Sequence, residues 1–170
     1  WLMDLIPVDG SLHYWADDPN VAGLAMKSRA GFKRGYGLTS GELQATDVQT
    51  TPEGTKFKVT HMGRELGEFQ MVLSGDYNVL NALAVIGVSQ KVGWDLNRVK
   101  NALQSFQGVK RRQEILGEPG GVLVIEDFAH HPTAVRETLK GIRVRYPGRK
   151  VWAVFEPRSA TSRRKVFQKD

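Results

Sequence analysis

Cysteine is absent from the 170 residues, which excludes disulfides, thiolate catalysis and cysteine-based zinc sites and fits a reducing compartment. Any metal would have to be held by His, Asp, Glu or phosphate ligands. No apolar run approaches the roughly 20 residues that a membrane helix needs, and the first residues lack the charged-then-apolar order of a secretory signal. The cytoplasm is therefore the expected location, and no membrane partner is expected. Aromatic residues make up 9% of the chain. They are not interleaved with basic residues along one face, and no nucleic-acid-binding motif occurs, so nucleic acid is not an expected partner. No glycine-rich loop of the form GxxxxGK followed by Ser or Thr is present, and Gly117-Glu118-Pro119-Gly120-Gly121 lacks the lysine and reads as a hairpin-like turn. The chain has no evident means of holding a triphosphate by itself.

What is present is an ordinary globular composition, 41% hydrophobic, with 24 basic against 18 acidic residues and a formal charge of +6. The length allows one domain or two small ones, and the abrupt opening Trp1-Leu2-Met3-Asp4-Leu5-Ile6 reads as the middle of something longer. Much of the basic excess lies in Lys110-Arg111-Arg112, in Arg143 through Lys150 and in Arg158 through Lys165. Short clusters of this kind suit a solvated surface or a phosphorylated small molecule or nucleotide.

Along the chain, Ser11 to Trp15 reads as a strand. Asp17-Asp18-Pro19 then offers an N-cap and a first-turn proline before Val21, Leu24, Ala25 and Ser28 at helical spacing. Between Glu42 and Leu73 the period changes to two, with turns at Pro52-Glu53-Gly54 and Met62-Gly63-Arg64, which predicts three antiparallel strands. Leu80, Leu83, Ala84 and Gly87 or Val88 share one face of a helix that Gly93 closes, and Asn97 to Phe106 predicts another through Val99, Leu103 and Phe106. Gln107 to Arg112 is polar, contains glycine and separates two patterns, so it reads as a hinge. Beyond it, Val122 to Ile125 suits a strand buried on both faces, Pro132 to Tyr146 a helix through Val135, Leu139 and Ile142, and Val151 to Phe155 a second apolar strand. That is one βαβ unit.

Parallel strands joined by a helical crossover bind ligands beyond their carboxyl ends. Those ends carry Glu126, Asp127, His130 and His131 after the first strand, and Glu156, Pro157 and Arg158 after the second. Asp127 suits either loop amides or ribose hydroxyls. His130 and His131 are adjacent, so both imidazoles cannot easily reach one ion, and no third ligand at fixed spacing is visible. Anchoring of loop or substrate is preferred over metal binding or proton transfer. Arg111 and Arg112 are either solvated or able to reach a phosphate across a cleft with a planar fork of donors.

Four blocks, Gly75 to Ala84 (GDYNVLNALA), Phe106 to Glu114 (FQGVKRRQE), Ile125 to Pro132 (IEDFAHHP) and Phe155 to Ser159 (FEPRS), resemble the Mur ligases in order and separation, most strongly from Gly75 to Gln168. The resemblance implies an α/β fold: the later part of a central ATPase domain, with strands, β-meander and helices, over 1–107, joined over 108–170 to the first βαβ of a Rossmann-like C-terminal domain. It implies an ATP-dependent amide ligase of bacterial cell-wall precursors, acting through an acyl phosphate and a tetrahedral intermediate. Magnesium would bridge the phosphates, and its ligands, the phosphate loop and a modified lysine would mostly precede the region shown.

Within the family, Asp127 to Pro132 is similar to the branch that ligates to UDP-N-acetylmuramate. Phe155 to Thr161 (FEPRSAT) is similar to enzymes whose second substrate is the recycled tripeptide L-alanyl-γ-D-glutamyl-meso-diaminopimelate. Ligation of L-alanine is the alternative within the class, and a non-catalytic nucleotide-binding module the alternative outside it. The resemblance places Asn78 and Asn81 at the adenine, Arg112 at the phosphates and Asp127 at the ribose, with His130, His131 and Arg158 facing substrate. It assigns no catalytic residue and no metal ligand to the chain. Tyr77 departs from the family, where histidine is common. The 170 residues alone are expected to be inactive as a ligase, and an ATP-dependent amide-forming rate measured on this chain would overturn that.

Overall fold

The computed structural model of the chain describes residues 2–157. A short 3-10 turn at Leu2–Leu5 leads to strand β1 (Ser11–Trp15) and helix α1 (Pro19–Lys27). Asp18 starts α1 as expected: its carboxylate accepts from the amides of Asn20 and Val21 at 2.8 and 3.0 Å, and Pro19 occupies a position where no amide is needed. Strand β2 (Phe32–Gly37) then returns parallel to β1, with Ser11 opposite Phe32 and Trp15 opposite Tyr36. The local pattern does not predict β2, because Phe-Lys-Arg-Gly-Tyr-Gly has two glycines and no clean alternation. Tertiary contacts make the strand instead: Arg34 is buried, and its guanidinium donates to Gln90 Oε1 at 3.0 Å.

Strands β3 (Leu43–Thr51), β4 (Gly54–His61) and β5 (Arg64–Met71) form the expected antiparallel meander. With β2 pairing parallel to β3, the sheet runs β1-β2-β3-β4-β5. One face of the meander carries Leu43, Ala45, Phe57, Val59, Phe69 and Met71, all buried. Phe57 and Phe69 are directly opposed across β4 and β5 and stack at 6.0 Å between ring centroids.

Helix α2 (Asp76–Lys91) lies on that face and contributes Val79, Ala82, Leu83, Ile86 and Gly87 as buried residues. The buried stripe is rotated from the predicted one: Leu80 and Ala84 are only half-buried and Val88 is 46% exposed. Gly87 permits the close approach, since a Cβ there would lie 2.8 Å from His13 Nδ1 on β1. Helix α3 (Leu96–Ser105) begins one residue before the expected start because Asp95 caps it, accepting from the Arg98 amide at 2.9 Å. It adds Val99 to the core, while Phe106 lies beyond its end and is exposed.

The second unit is smaller. Strand β6 (Glu114–Gly117) pairs antiparallel with β7 (Val124–Glu126) across a 3-10 turn at Pro119–Gly121, so the glycine-rich stretch is the hairpin turn it resembles. Helix α4 (Pro132–Arg145) follows. Two expectations fail here. Strand β7 is three residues long, and Val124 at its start is 39% exposed, so it is not buried on both faces. Val151–Phe155 is not a strand; Trp152 and Val154 are 79% and 97% exposed. A doubly buried parallel strand needs hydrogen-bonded neighbours and a covering layer, and among the described residues β7 pairs only with β6. The class remains α/β, while the crossover to a second parallel strand is not formed among the described residues. No helix among them is long and apolar enough to cross a membrane.

His13 lies between β1 and α2 with neither ring nitrogen hydrogen-bonded in the structure. Desolvation lowers its pKa below the ordinary 6.5, and the positive charges of Arg34 and Lys91 lower it further. Protonation therefore favours the unfolded chain. The associated stability is fully present above pH 6.5 and is lost as pH falls through the lowered folded value. The urea midpoint of the wild type is expected to drop more steeply between pH 7 and 5 than that of His13→Gln; parallel pH profiles would show that His13 is not a source of the acid sensitivity.

Candidate functional site

Helix α2 has a second face. Asn78, Asn81, Ala82, Val85 and Ser89 recur at helical spacing and line one wall of a cleft of about 1130 Å3. Helix α3 supplies the opposite wall through Arg98, Val99, Ala102 and Leu103. Phe106 and, from the hinge, Val109 and Arg112 also line the cleft, as does Tyr77. Its volume is slightly above the roughly 300–1,000 Å3 of small-molecule sites, and its character, apolar walls with a few polar groups, is theirs as well.

Three of the four residues predicted to contact a nucleotide, Asn78, Asn81 and Arg112, are thus brought to one cleft. The Asn78 side-chain amide donates to Ser74 O at 2.8 Å, which fixes the rotamer and leaves its carbonyl oxygen as an acceptor. Asn81, one turn on, is exposed. The Arg112 guanidinium sits 5.5 Å from the centre of the Phe128 ring, a cation–π arrangement that holds the charge at the cleft mouth.

Asp127 does not line the cleft. Its carboxylate accepts from the Gln113 amide at 2.9 Å through Oδ2 and from the Ala129 amide at 2.7 Å through Oδ1. The loop-amide reading is therefore realised, and a carboxylate with room for about four hydrogen bonds retains acceptor capacity beside it. His130 Nδ1 lies 3.1 Å from Phe128 O, and its ring packs edge-on against Phe128 at 5.4 Å. His131 is the exposed residue that precedes Pro132 at the start of α4, with no side-chain cap bond. Both histidines lie on the loop between β7 and α4, and His130 packs on that loop. Among the described residues no three His, Asp or Glu side chains converge as a metal site would require. Arg158 lies outside the described residues.

The hinge is more ordered than its polar composition suggests. Arg111 O accepts from the Phe128 amide at 2.8 Å, and Arg111 pairs with Glu126 at 3.3 Å. Arg111 and Gln113 hold positive φ, +59° and +52°. Helix α4 closes over the start of α2: Lys140 meets Asp76 at 3.1 Å, Arg145 Nε donates to Pro52 O at 3.1 Å, and Gly141 lets the helix pass close to Gly75. Sequence reasoning missed Gln113, which is buried against Ser74 and Tyr77. The only sequence signal was its place directly after the arginine pair. Burial raises the pKa of the Tyr77 phenol, so the hydroxyl stays protonated at neutral pH.

Comparison with known proteins gives two family matches. The Mur ligase middle domain matches residues 2–89, and the "Mur ligase, glutamate ligase domain" matches residues 111–169. A UDP-N-acetylmuramate–L-alanine ligase of Desulfitobacterium hafniense is 36% identical over 164 residues, 96% of this chain and 36% of the relative. Lactobacillus delbrueckii has a relative of the same name at 41% identity. The chain spans about a third of the length of these curated relatives. Among solved structures, the UDP-N-acetylmuramate–alanine ligase of Thermotoga maritima superposes with a TM-score of 0.67 at 30% identity, covering 77% of this chain and 29% of that one. A murein peptide ligase from Psychrobacter arcticus gives 0.63 at 29% identity, covering 93% and 33%.

Asp127→Ala removes the acceptor of two loop amides. It is expected to lower unfolding free energy by roughly 1–3 kcal/mol in urea titration, and an unchanged midpoint would show that the loop amides find other partners at no cost.

Proposed function

The chain belongs to the Mur ligase family, and from that premise we propose that it forms the nucleotide-binding junction of an ATP-dependent amide ligase acting on UDP-N-acetylmuramate. In this reading residues 1–107 belong to the central domain and 108–170 to the C-terminal domain. The observation that carries it is the convergence of Asn78 and Asn81 from α2 and of Arg112 from the hinge on one cleft. Two carboxamides supply paired donors and acceptors for a purine edge, the apolar walls take its faces, and one guanidinium at the mouth suits phosphate oxygens. That donor set fits a nucleotide.

Within this reading Asn78 presents its carbonyl oxygen to the base while Ser74 O holds its amide, and Asn81 adds a second polar edge one turn along α2. Arg112 offsets phosphate charge. Asp127 uses its remaining acceptor positions for ribose hydroxyls while its loop amides fix it. ATP would supply the phosphoryl group that converts the muramyl carboxylate to an acyl phosphate, leaving ADP, and attack of an amine on the acyl carbon would form the amide and expel inorganic phosphate. His130 and His131, on the exposed loop before α4, and Arg158 face the substrates.

The relatives support L-alanine as the amine, against the tripeptide expected from the sequence. The alanine ligases match 94–96% of this chain at 36–41% identity. The tripeptide stays as a second reading because of Phe155-Glu156-Pro157-Arg158-Ser159 and the likeness to the murein peptide ligase over 93% of the chain. A coupled phosphate-release assay on the full-length protein, with UDP-N-acetylmuramate and either L-alanine or the tripeptide, separates the two. Release that depends on L-alanine supports the first reading, release that depends on the tripeptide the second, and none with either amine sinks both. Asp127→Ala in the full-length protein is expected to weaken ATP binding, and an unchanged ATP affinity would remove its ribose role.

A further inference from the structure

Gln113, directly after the hinge, is 8% exposed, whereas the two arginines before it are exposed. Both ends of its side chain are used. Its carbonyl oxygen accepts from Ser74 Oγ at 3.0 Å, and its amide nitrogen donates to the Tyr77 hydroxyl. Its backbone amide donates to Asp127 at 2.9 Å. One residue therefore joins the loop before α2, the first turn of α2 and the loop after β7. It does so at a φ of +52°, a conformation that costs a non-glycine residue free energy and persists where the surroundings over-determine it. Carboxamide chemistry suits the place, since a single planar group offers an acceptor to one hydroxyl and a donor to another.

The neighbours of this clasp are the residues assigned to the nucleotide. Arg112 is covalently adjacent, Asn78 follows Tyr77 directly, and Asp127 holds the Gln113 amide. Gly141 of α4 packs against the same carboxamide, with a Cβ position 3.4 Å from Gln113 Nε2. Thr138, one turn earlier on α4, is buried beside the Tyr77 hydroxyl. The exposed ion pairs around the junction, Lys140 with Asp76 and Arg111 with Glu126, are solvated and contribute little. Buried polar links with directional geometry are what can fix an orientation between two units.

We propose that Gln113, with Tyr77 and Ser74, is the positioning element of the nucleotide site: it sets the distance of Arg112 and Asp127 from the asparagines of α2 and so sets affinity for ATP. The inference rests on the reading of the cleft as the ATP site. Tyr77 thereby has a role that does not require it to touch the base. It holds Gln113, and the ring walls the cleft.

Two measurements test this. The cysteine-free chain accepts spin labels at Lys56→Cys on β4 and Arg143→Cys on α4, both exposed positions. The distance distribution between them is expected to be narrow in the parent and broadened by Tyr77→Phe, which removes only a hydroxyl, and by Gln113→Met, which keeps the length of the side chain. Distributions that stay as narrow as the parent's overturn the proposal, whatever the ligase activity. In the full-length protein each variant is expected to raise KM for ATP roughly tenfold, with kcat and KM for UDP-N-acetylmuramate little changed. The double variant should be no worse than Gln113→Met alone, because both changes break the same link. Unchanged KM for ATP, or equal rises for every substrate, overturns the positioning role. A parent enzyme without activity sinks the proposed function instead, and the distance measurement still decides the clasp.

Discussion

Helix α2 has one apolar face and one that mixes Asn78, Asn81 and Ser89 with Val85, and everything proposed for the site depends on which of them meets the sheet. Val79, Leu83 and Ile86 are buried against the meander residues Leu43, Phe57, Val59 and Phe69. Once they are seated, the helix has no rotational freedom left, because displacing buried side chains of this size costs several times the thermal energy. Asn78, Asn81, Val85 and Ser89 are then forced toward α3. The cleft lies between two helices that both contribute to the core, through Leu83 and Val99.

The second constraint is polar. The two units meet through the Gln113 carboxamide, which bonds the Ser74 and Tyr77 hydroxyls, and through α4, where Lys140 meets Asp76 and Arg145 donates to Pro52 O. An apolar junction of this size would be held mainly by area and would tolerate sliding, whereas directional bonds to Gln113 tolerate little. Asp127 illustrates the economy of such a place. Its two loop bonds to Gln113 and Ala129 place the carboxylate, and the proposed ribose role uses only the acceptor positions that remain.

The meander, the Asp18 cap with Pro19, the α3 stripe through Val99 and the glycine turn at 117–121 were legible because each rests on local periodicity or turn chemistry. The four family blocks were legible for a different reason, since they carry a resemblance and not a physical pattern. Strand β2 was not legible, because its stability comes from Arg34 reaching Gln90 and from strands on both sides, none of which is written in Phe32–Gly37. The strand expected at Val151–Phe155 errs in the opposite sense. Its pattern is that of a doubly buried strand, and a pattern cannot form hydrogen bonds without a neighbour. The histidine pair was read as anchoring, and His130 does pack on its own loop at Phe128.

By itself the sequence determined the composition limits, the meander, the helix caps and turns, and the residue blocks that mark the family. Those features depend on interactions a few residues apart, and their physics is contained in the local string. Tertiary structure alone decided which face of α2 meets the sheet, that Arg112 shares a cleft with Asn78 and Asn81, and that Gln113 is buried between Ser74 and Tyr77. Those outcomes depend on contacts 30 or more residues apart, where packing and hydrogen-bond geometry select one arrangement from many that the same local preferences permit.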